Sequence, residues 1–215
     1  MKLKTIIILI ISLISIQLVV AQTYRIELGS TNPKQSGSQF STSYFNGGRI
    51  GVTAEFDLKY NVSFLTGALY SLVYSNKVQN YSTTDSVRYT TYAHSIDIPL
   101  LFNYNLALGK NLKLSAFAGP NINIGLAQPQ KVEVYMTNDW INFTGVDSKD
   151  FADNDLYKNA LIHRINFQMV LGGGVQWKDY QVKGGYNFGI NSINRIDSGF
   201  TLRQSGWFVS VAYQF

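Results

Sequence analysis

The last nine residues, WFVSVAYQF at positions 207–215, decide the fold of this chain. The odd positions carry Trp, Val, Val, Tyr and Phe, while Ser210, Ala212 and Gln214 occupy even positions. Because successive side chains of a β-strand point to opposite faces, this order predicts one apolar face with aromatic ends and one small or polar face. A strand of this kind is typical of a barrel wall that meets lipid on one side.

The same period of two recurs upstream and predicts eight strands in all. The other predicted strands lie near residues 24–29, 50–57, 62–75, 95–104, 112–124, 165–177 and 181–190. The alternation is imperfect, with apolar residues on the polar face at Leu65, Leu69, Val73, Leu101, Phe117, Val170 and Phe208.

The connections between these strands alternate in length. Long polar connections are predicted at 30–47, 76–91, 126–161 and 191–204, and tight ones at 57–61, 107–111 and 178–180. Transmembrane barrels sort their connections in this way, with tight turns in the periplasm and long loops outside. The predicted fold class is therefore all-β, an eight-stranded antiparallel transmembrane β-barrel in the outer membrane.

The N-terminus is predicted to be a cleaved signal peptide, residues 1–21, ahead of a barrel domain at 22–215. Two lysines among the first four residues precede an apolar run that ends at Val20. Small or modest residues up to Ala21 suit cleavage before Gln22. The run is shorter than the roughly 20 residues that a membrane-spanning helix needs, which makes a retained anchor the weaker alternative.

Composition excludes several classes of protein. Charged residues make up only 14% of the chain and aromatic residues another 14%, nearly all Tyr or Phe. Soluble domains carry about 25% charged residues. The chain has no cysteine, so disulfides, thiolate metal sites and a lipoprotein anchor are excluded. The net charge of +5 comes without a basic cluster, so no nucleic-acid partner is expected.

The inward face is predicted to hold a polar network. Seven charged residues carry the inward parity: Arg25, Glu27, Arg49, Glu55, Asp97, Lys113 and Lys183. Eight strands leave an interior that side chains fill, so we expect a packed core without a channel. Buried charges persist when they are paired, which favours ion pairs among these residues over the alternative of a proton or ion path.

The outward face is predicted to meet outer-membrane lipid, with aromatic side chains near the headgroups. Residues that fit such a belt are Trp177, Tyr180, Trp207, Tyr213 and Phe215.

No catalytic site, metal site or cofactor is expected. His94 with Ser95 and Asp97 is the one local group resembling a catalytic set, but its parity places His94 on the lipid side or the rim. A metal held by His94 and His163 would need both to meet a carboxylate. A calcium loop is also disfavoured, because the glycine and bidentate Glu of such loops are missing around Asp147, Asp150, Asp153 and Asp155.

Several motifs carry a family resemblance. They are SIDIPLLFNY at 95–104, AGPN at 118–121, LGGGV at 171–175, YNFGIN at 186–191 and the terminal YQF. In these motifs and their order the chain resembles the outer-membrane β-barrel family of PorT type, common in Bacteroidota. The resemblance implies an outer-membrane barrel whose final aromatic residue, Phe215, resembles the signal read by the barrel-assembly machinery. It also leaves open an unidentified envelope protein as a partner.

Three functions stay open at this point. The leading one is a non-catalytic integral outer-membrane barrel with a packed interior and long extracellular loops. The second, suggested by the resemblance, is a component of an envelope secretion or transport machine. The third is a soluble periplasmic lipocalin-like barrel, whose apolar face would point inward towards a ligand.

Overall fold

The computed structural model describes residues 22–37, 42–80, 85–135, 154–195 and 199–215. The described strands are β1 Gln22–Gly37, β2 Ser43–Tyr44, β3 Asn46–Asp57, β4 Val62–Asn80, β5 Ser86–Ala107, β6 Leu112–Ala127, β7 Pro129–Tyr135, β8 Asn154–Asp155, β9 Ile165–Trp177, β10 Tyr180–Gly189 and β11 Leu202–Gln214. No helix in these ranges is long and apolar enough to cross a membrane. The predicted signal peptide and the aspartates at 147, 150 and 153 lie outside the described residues.

Eight of these strands close into one antiparallel ring. Along the chain, β1, β3, β4, β5, β6, β9, β10 and β11 each pair with the next, and β11 pairs back onto β1 from Arg25↔Gln214 to Gly37↔Leu202. Lipid offers the backbone no hydrogen-bond partners, so a sheet can cross it only when it closes on itself. The predicted eight-stranded antiparallel barrel is confirmed.

Tight turns gather at one end of the ring, here called the turn end. They span 58–61, 108–111 and 178–179, and Tyr60 and Asn61 both adopt a φ of 60°, as the primed hairpin turns require. Both termini of the barrel lie at this end, where the Phe215 N–H donates to the Tyr24 carbonyl at 3.2 Å. The opposite end, called the loop end, carries the longer connections.

The strands extend further at the loop end than the sequence predicts. β1 runs to Gly37, β4 runs to Asn80, and β5 begins at Ser86, so much of the predicted 30–47 and 76–91 loops is strand. β7 likewise occupies part of the predicted 126–161 loop. Beyond a bilayer both faces of a sheet meet water, so side-chain alternation fades while the backbone ladder continues. The predicted extents of these loops were therefore wrong.

The apolar side chains cover the outside of the ring. Leu28 is 62% exposed, and all five predicted belt aromatics are half exposed or nearly so. The rings of Tyr180 and Tyr213 lie 5.2 Å apart at the turn end, whereas Trp207 sits nearer the loop end, opposite Asn32. A soluble barrel that holds an apolar ligand needs the reverse orientation, so the lipocalin-like alternative was wrong.

The residues that break the alternation form the apolar core of the barrel. Leu65, Leu101, Phe117, Val170 and Phe208 pack as one buried cluster inside the ring. The rings of Phe117 and Phe208 stack with their centroids 6.3 Å apart. Gly172 makes this packing possible, because a Cβ there would overlap the Phe117 ring.

Candidate functional site

The first part of the polar interior is built around Glu55, near the turn end. Arg25 and Glu55 form a buried ion pair. The other carboxylate oxygen of Glu55 accepts hydrogen bonds from Ser63, from Asn103 at 3.0 Å and from Asn105 at 3.0 Å. The carboxylate is therefore surrounded by donors, the condition under which a buried charge is tolerated.

Glu27 is the centre of a second group and is 0% exposed. Arg49 donates to its Oε1 through Nη2 and also through Nε at 3.2 Å. The Nζ of Lys183 lies 2.5 Å from its Oε2. The guanidinium of Arg49 lies 4.1 Å from the centroid of the Phe208 ring, which joins the ion pairs to the apolar cluster.

Asp97 is held by neutral donors. Its carboxylate accepts hydrogen bonds from Ser71 at 3.1 Å and from Asn121 and Asn123 at 2.9 Å each. Within the described residues, no cation forms an ion pair with Asp97. The interior of the ring thus contains three buried cations, of which Arg25 pairs with Glu55 and both Arg49 and Lys183 pair with Glu27, while Asp97 is held by neutral donors.

Lys113 does not join this network. It shares the inward parity but stands second in β6, beside the 108–111 turn, where its side chain is exposed. In the part of the chain that the structure describes, it forms no ion pair. Parity indicates the face on which a residue lies and says nothing about its depth along the barrel.

The interior leaves little free space. One cavity between Asp97, Lys183 and the apolar cluster has a volume of about 20 Å³, and a second one, above Asp97, has about 30 Å³. A single water molecule needs roughly 10–15 Å³ of such space. Each of these two cavities therefore has room for a water or two and for no larger solute.

The loop end is closed by a cap that the sequence analysis missed. The segments around 154–162 and 190–195 fold over the mouth and join through a bridge between Ile162 and Asn194. Ile162 and Ile193, one from each segment, are buried, and so is Phe45 from the mouth. The ring of Tyr157 lies on the backbone of Gly125, where a Cβ would overlap it. A glycine on an inward position near the end of β6 was the signal available in the sequence.

Burial under this cap raises the pKa of Tyr157 to about 12, and the Asp155 carboxylate adds to the effect while Arg164 opposes it. We expect Gly125→Val to displace the ring and return this pKa towards its ordinary value near 10. Tyrosinate absorbance between pH 9 and pH 13, taken as the difference from Tyr157→Phe, measures the shift. In the native protein, folding disfavours the ionised ring, so this group's contribution to stability is complete below about pH 10 and is lost towards pH 12. An unchanged titration in Gly125→Val would contradict the proposed packing.

Above the cap lies a hollow of about 500 Å³, here called the vestibule. Its wall is rich in uncharged hydrogen-bonding side chains: Gln35, Ser43, Ser75, Thr91, Gln128 and Gln130. Gln128 is 1% exposed, and neither atom of its side-chain amide has a hydrogen-bond partner among the described residues. Buried amides are normally satisfied, so the Gln128 amide is an exception on this wall.

The histidines lie apart from one another. Nδ1 of His94 is 2.6 Å from the hydroxyl of Tyr70 on the outer face, and His163 lies in the cap at the loop end. In the described ranges, no three His, Asp or Glu side chains are grouped as a metal site would need. Asp155 instead accepts hydrogen bonds from the backbone N–H groups of Tyr157 and Lys158.

The sheet closes into a ring, its outer face is apolar, and its interior holds buried ion pairs. These features together define a transmembrane β-barrel. The family model of the outer membrane protein beta-barrel domain matches residues 19–195, and the chain belongs to that family. It is accordingly a protein of the outer membrane.

Solved structures similar to this chain include two small outer-membrane proteins. Neisserial surface protein A (NspA) is 12% identical over 91% of this chain and 99% of its own, with a TM-score of 0.46. Ail, the attachment invasion locus protein of Yersinia pestis, is 10% identical over 91% and 100%, with a TM-score of 0.39. Its complex with the heparin analogue sucrose octasulfate gives 12%, the same coverage and a TM-score of 0.40. No curated protein matches the chain in sequence.

Proposed function

We propose that this chain is a non-catalytic, non-conducting barrel whose function lies at its outer end, where it presents the vestibule to the exterior. The observation that carries the proposal is the contrast in free space along the barrel. The cavities inside the wall hold about 20 and 30 Å³, whereas the vestibule above the cap holds about 500 Å³. Among the cavities bounded by the described residues, a molecule larger than water therefore fits the vestibule and does not fit the two cavities beneath the cap.

The arrangement of the interior charges supports a non-conducting barrel over the alternative of a proton or ion path. A conducting path needs polar groups that exchange partners along a continuous wet route. Here Glu27 and Glu55 are each engaged by fixed donors, and the apolar cluster around Phe117 and Phe208 lies among them. Structural pairing explains these residues without any transported species.

We expect no conductance from the purified protein in planar lipid bilayers. Its heat-dependent gel mobility establishes that the barrel is folded, and a general porin in the same bilayers serves as the positive control. Single-channel recording across both signs of voltage then measures the current. Stepwise openings of the folded wild-type protein would contradict a sealed interior.

The PorT-type resemblance provides a second candidate, a component of an envelope secretion or transport machine. The most specific of its motifs, SIDIPLLFNY, lies in β5, with Asp97, Pro99 and Leu101 buried inside the ring. These residues build the interior, so the motif accounts for the fold more directly than for a partner-binding surface.

The proposal includes insertion by the barrel-assembly machinery, with Phe215 as the assembly signal. Phe215 supports this role because it is 67% exposed at the turn end, with its ring stacked at 6.4 Å on that of Tyr24. The residue that follows the closing strand is thus accessible on the outer face.

A further inference from the structure

A cleft lies on the flank of the barrel at its outer end, and we call it the rim cleft. It has a volume of about 460 Å³, and its walls include His163, Arg164, Ile165, Ser192 and Arg195. Two chain segments, 162–165 and 191–195, form it together with Tyr157. Neither the closed interior nor the vestibule explains why three nitrogen-bearing side chains meet there.

The backbone of the rim cleft is fixed. The His163 N–H donates to the Ile193 carbonyl at 2.7 Å, and the Arg195 N–H donates to the Leu161 carbonyl at 3.1 Å. These bonds flank the bridge between the two segments. Arg164 and Arg195 are therefore carried on one hydrogen-bonded frame and do not hang from independent loops.

The guanidinium of Arg164 is oriented by its neighbours. Its Nη1 donates to the carbonyls of Leu126 at 2.6 Å and Gly125 at 3.2 Å, and its Cζ lies 5.0 Å from the centroid of the Tyr157 ring. These contacts use one nitrogen and one face of the group. An oriented guanidinium with donors to spare is well suited to bind an oxyanion.

Among the residues that the structure describes, no carboxylate compensates the charge of the rim cleft. Neither Arg164 nor Arg195 forms an ion pair with another described residue. The carboxylate of Asp155, on the same loop, is engaged with the backbone N–H groups of the cap. The cleft is therefore a site for an anion.

Its position identifies the source of that anion. Ile165 belongs to the wall of the cleft and begins β9, where Ile165 and Phe167 are about half exposed on the outer face. The cleft is thus continuous with the lipid-facing apolar band and lies at its outer limit. A soluble anion would gain nothing from the apolar wall, whereas a lipid places its phosphate in the cleft and its chains along β9.

We propose that the rim cleft binds the phosphate group of a phosphorylated lipid of the outer leaflet, with Arg164 and Arg195 as the phosphate ligands. This inference rests on the outer-membrane location and is independent of the proposed lack of conductance. The barrel would then carry a bound lipid at a fixed place on its rim.

The test uses the detergent-solubilised full-length barrel titrated with bisphosphorylated lipid A or with its dephosphorylated form, and counts bound lipid by native mass spectrometry. Each Arg near a membrane surface contributes about fivefold in affinity. Arg195→Gln should therefore weaken binding of the phosphorylated form about fivefold. The double variant Arg164→Gln, Arg195→Gln should weaken it about 30-fold. Arg203→Gln, an exposed arginine of β11 outside the cleft, should leave binding unchanged. Heat-dependent gel mobility confirms that every variant is folded.

Several results would overturn the proposal. Equal binding of the two lipid A forms by the wild-type protein would remove the role of the phosphate. Unchanged binding by Arg195→Gln, a side chain without a hydrogen bond among the described residues, would remove the role of the cleft. Complete displacement of the lipid by millimolar inorganic phosphate would assign the site to a soluble anion.

Discussion

Replacing Glu27 by Ala should lower the free energy of unfolding by about 3–5 kcal/mol, the usual cost of removing one partner from a buried ion pair. Glu27 is fully buried and forms ion pairs with both Arg49 and Lys183. Without it, two cations remain in the barrel interior with no carboxylate in contact. The urea midpoint of the protein in lipid vesicles, followed by tryptophan fluorescence, measures the loss.

Two controls separate the buried charge from the substitution itself. Glu133→Ala removes a carboxylate from exposed ion pairs with Arg88 and Lys131, and it should leave the urea midpoint nearly unchanged. Adding Arg49→Met and Lys183→Met to the Glu27 variant should restore most of the stability, because apolar residues of similar volume can replace a buried ion pair. A Glu27→Ala protein as stable as the wild type would show that the interior is hydrated.

The architecture could be predicted from the sequence because a closed barrel imposes simple constraints. Alternation follows from the pleat, and tight turns such as 178–180 follow from antiparallel pairing. The extents of the strands could not be predicted in the same way. Segments such as 76–80 extend into water, where neither face needs to be apolar, and only the ladder to β5 keeps them extended.

The sequence predicts which residues face the interior, but it does not predict which of them contact one another. Inward parity places Glu27, Arg49 and Lys183 on one face, but nothing in the sequence pairs them, because partners on different strands depend on the stagger of the ring. The same limit applies to the apolar residues on the polar face. Leu101 and Phe117 looked like defects of the pattern, and the closed ring makes them one cluster.

The outer end was the least predictable part of the molecule. Tyr157, Arg164 and Arg195 lie in connections without periodicity, and their positions depend on contacts with the ends of strands far away in sequence. Arg164, for instance, is held by the carbonyls of Gly125 and Leu126. No pattern of residue types near position 164 indicates those partners.

Replacing Phe208 by Ala should lower the free energy of unfolding by about 3–5 kcal/mol, because a large buried side chain leaves a cavity that the barrel cannot fill. Its ring packs on Phe117 and carries the guanidinium of Arg49 on its face. The interior walls are strands held by continuous ladders on both sides, so they cannot move inward to close the void. The urea midpoint in lipid vesicles again provides the measurement.

Phe208→Leu is the matched control. It keeps most of the apolar volume and should cost less than about 1.5 kcal/mol in packing, with a further loss of about 0.5–2 kcal/mol from the missing contact with Arg49. The Leu variant should therefore fall between the wild type and the Ala variant. If both variants lose the same stability, Phe208 stabilises the barrel through its contact with Arg49 and not through its packing in the apolar cluster. If neither loses stability, the cluster is not the core of the barrel, and the ion pairs and the backbone ladder hold the ring closed without it.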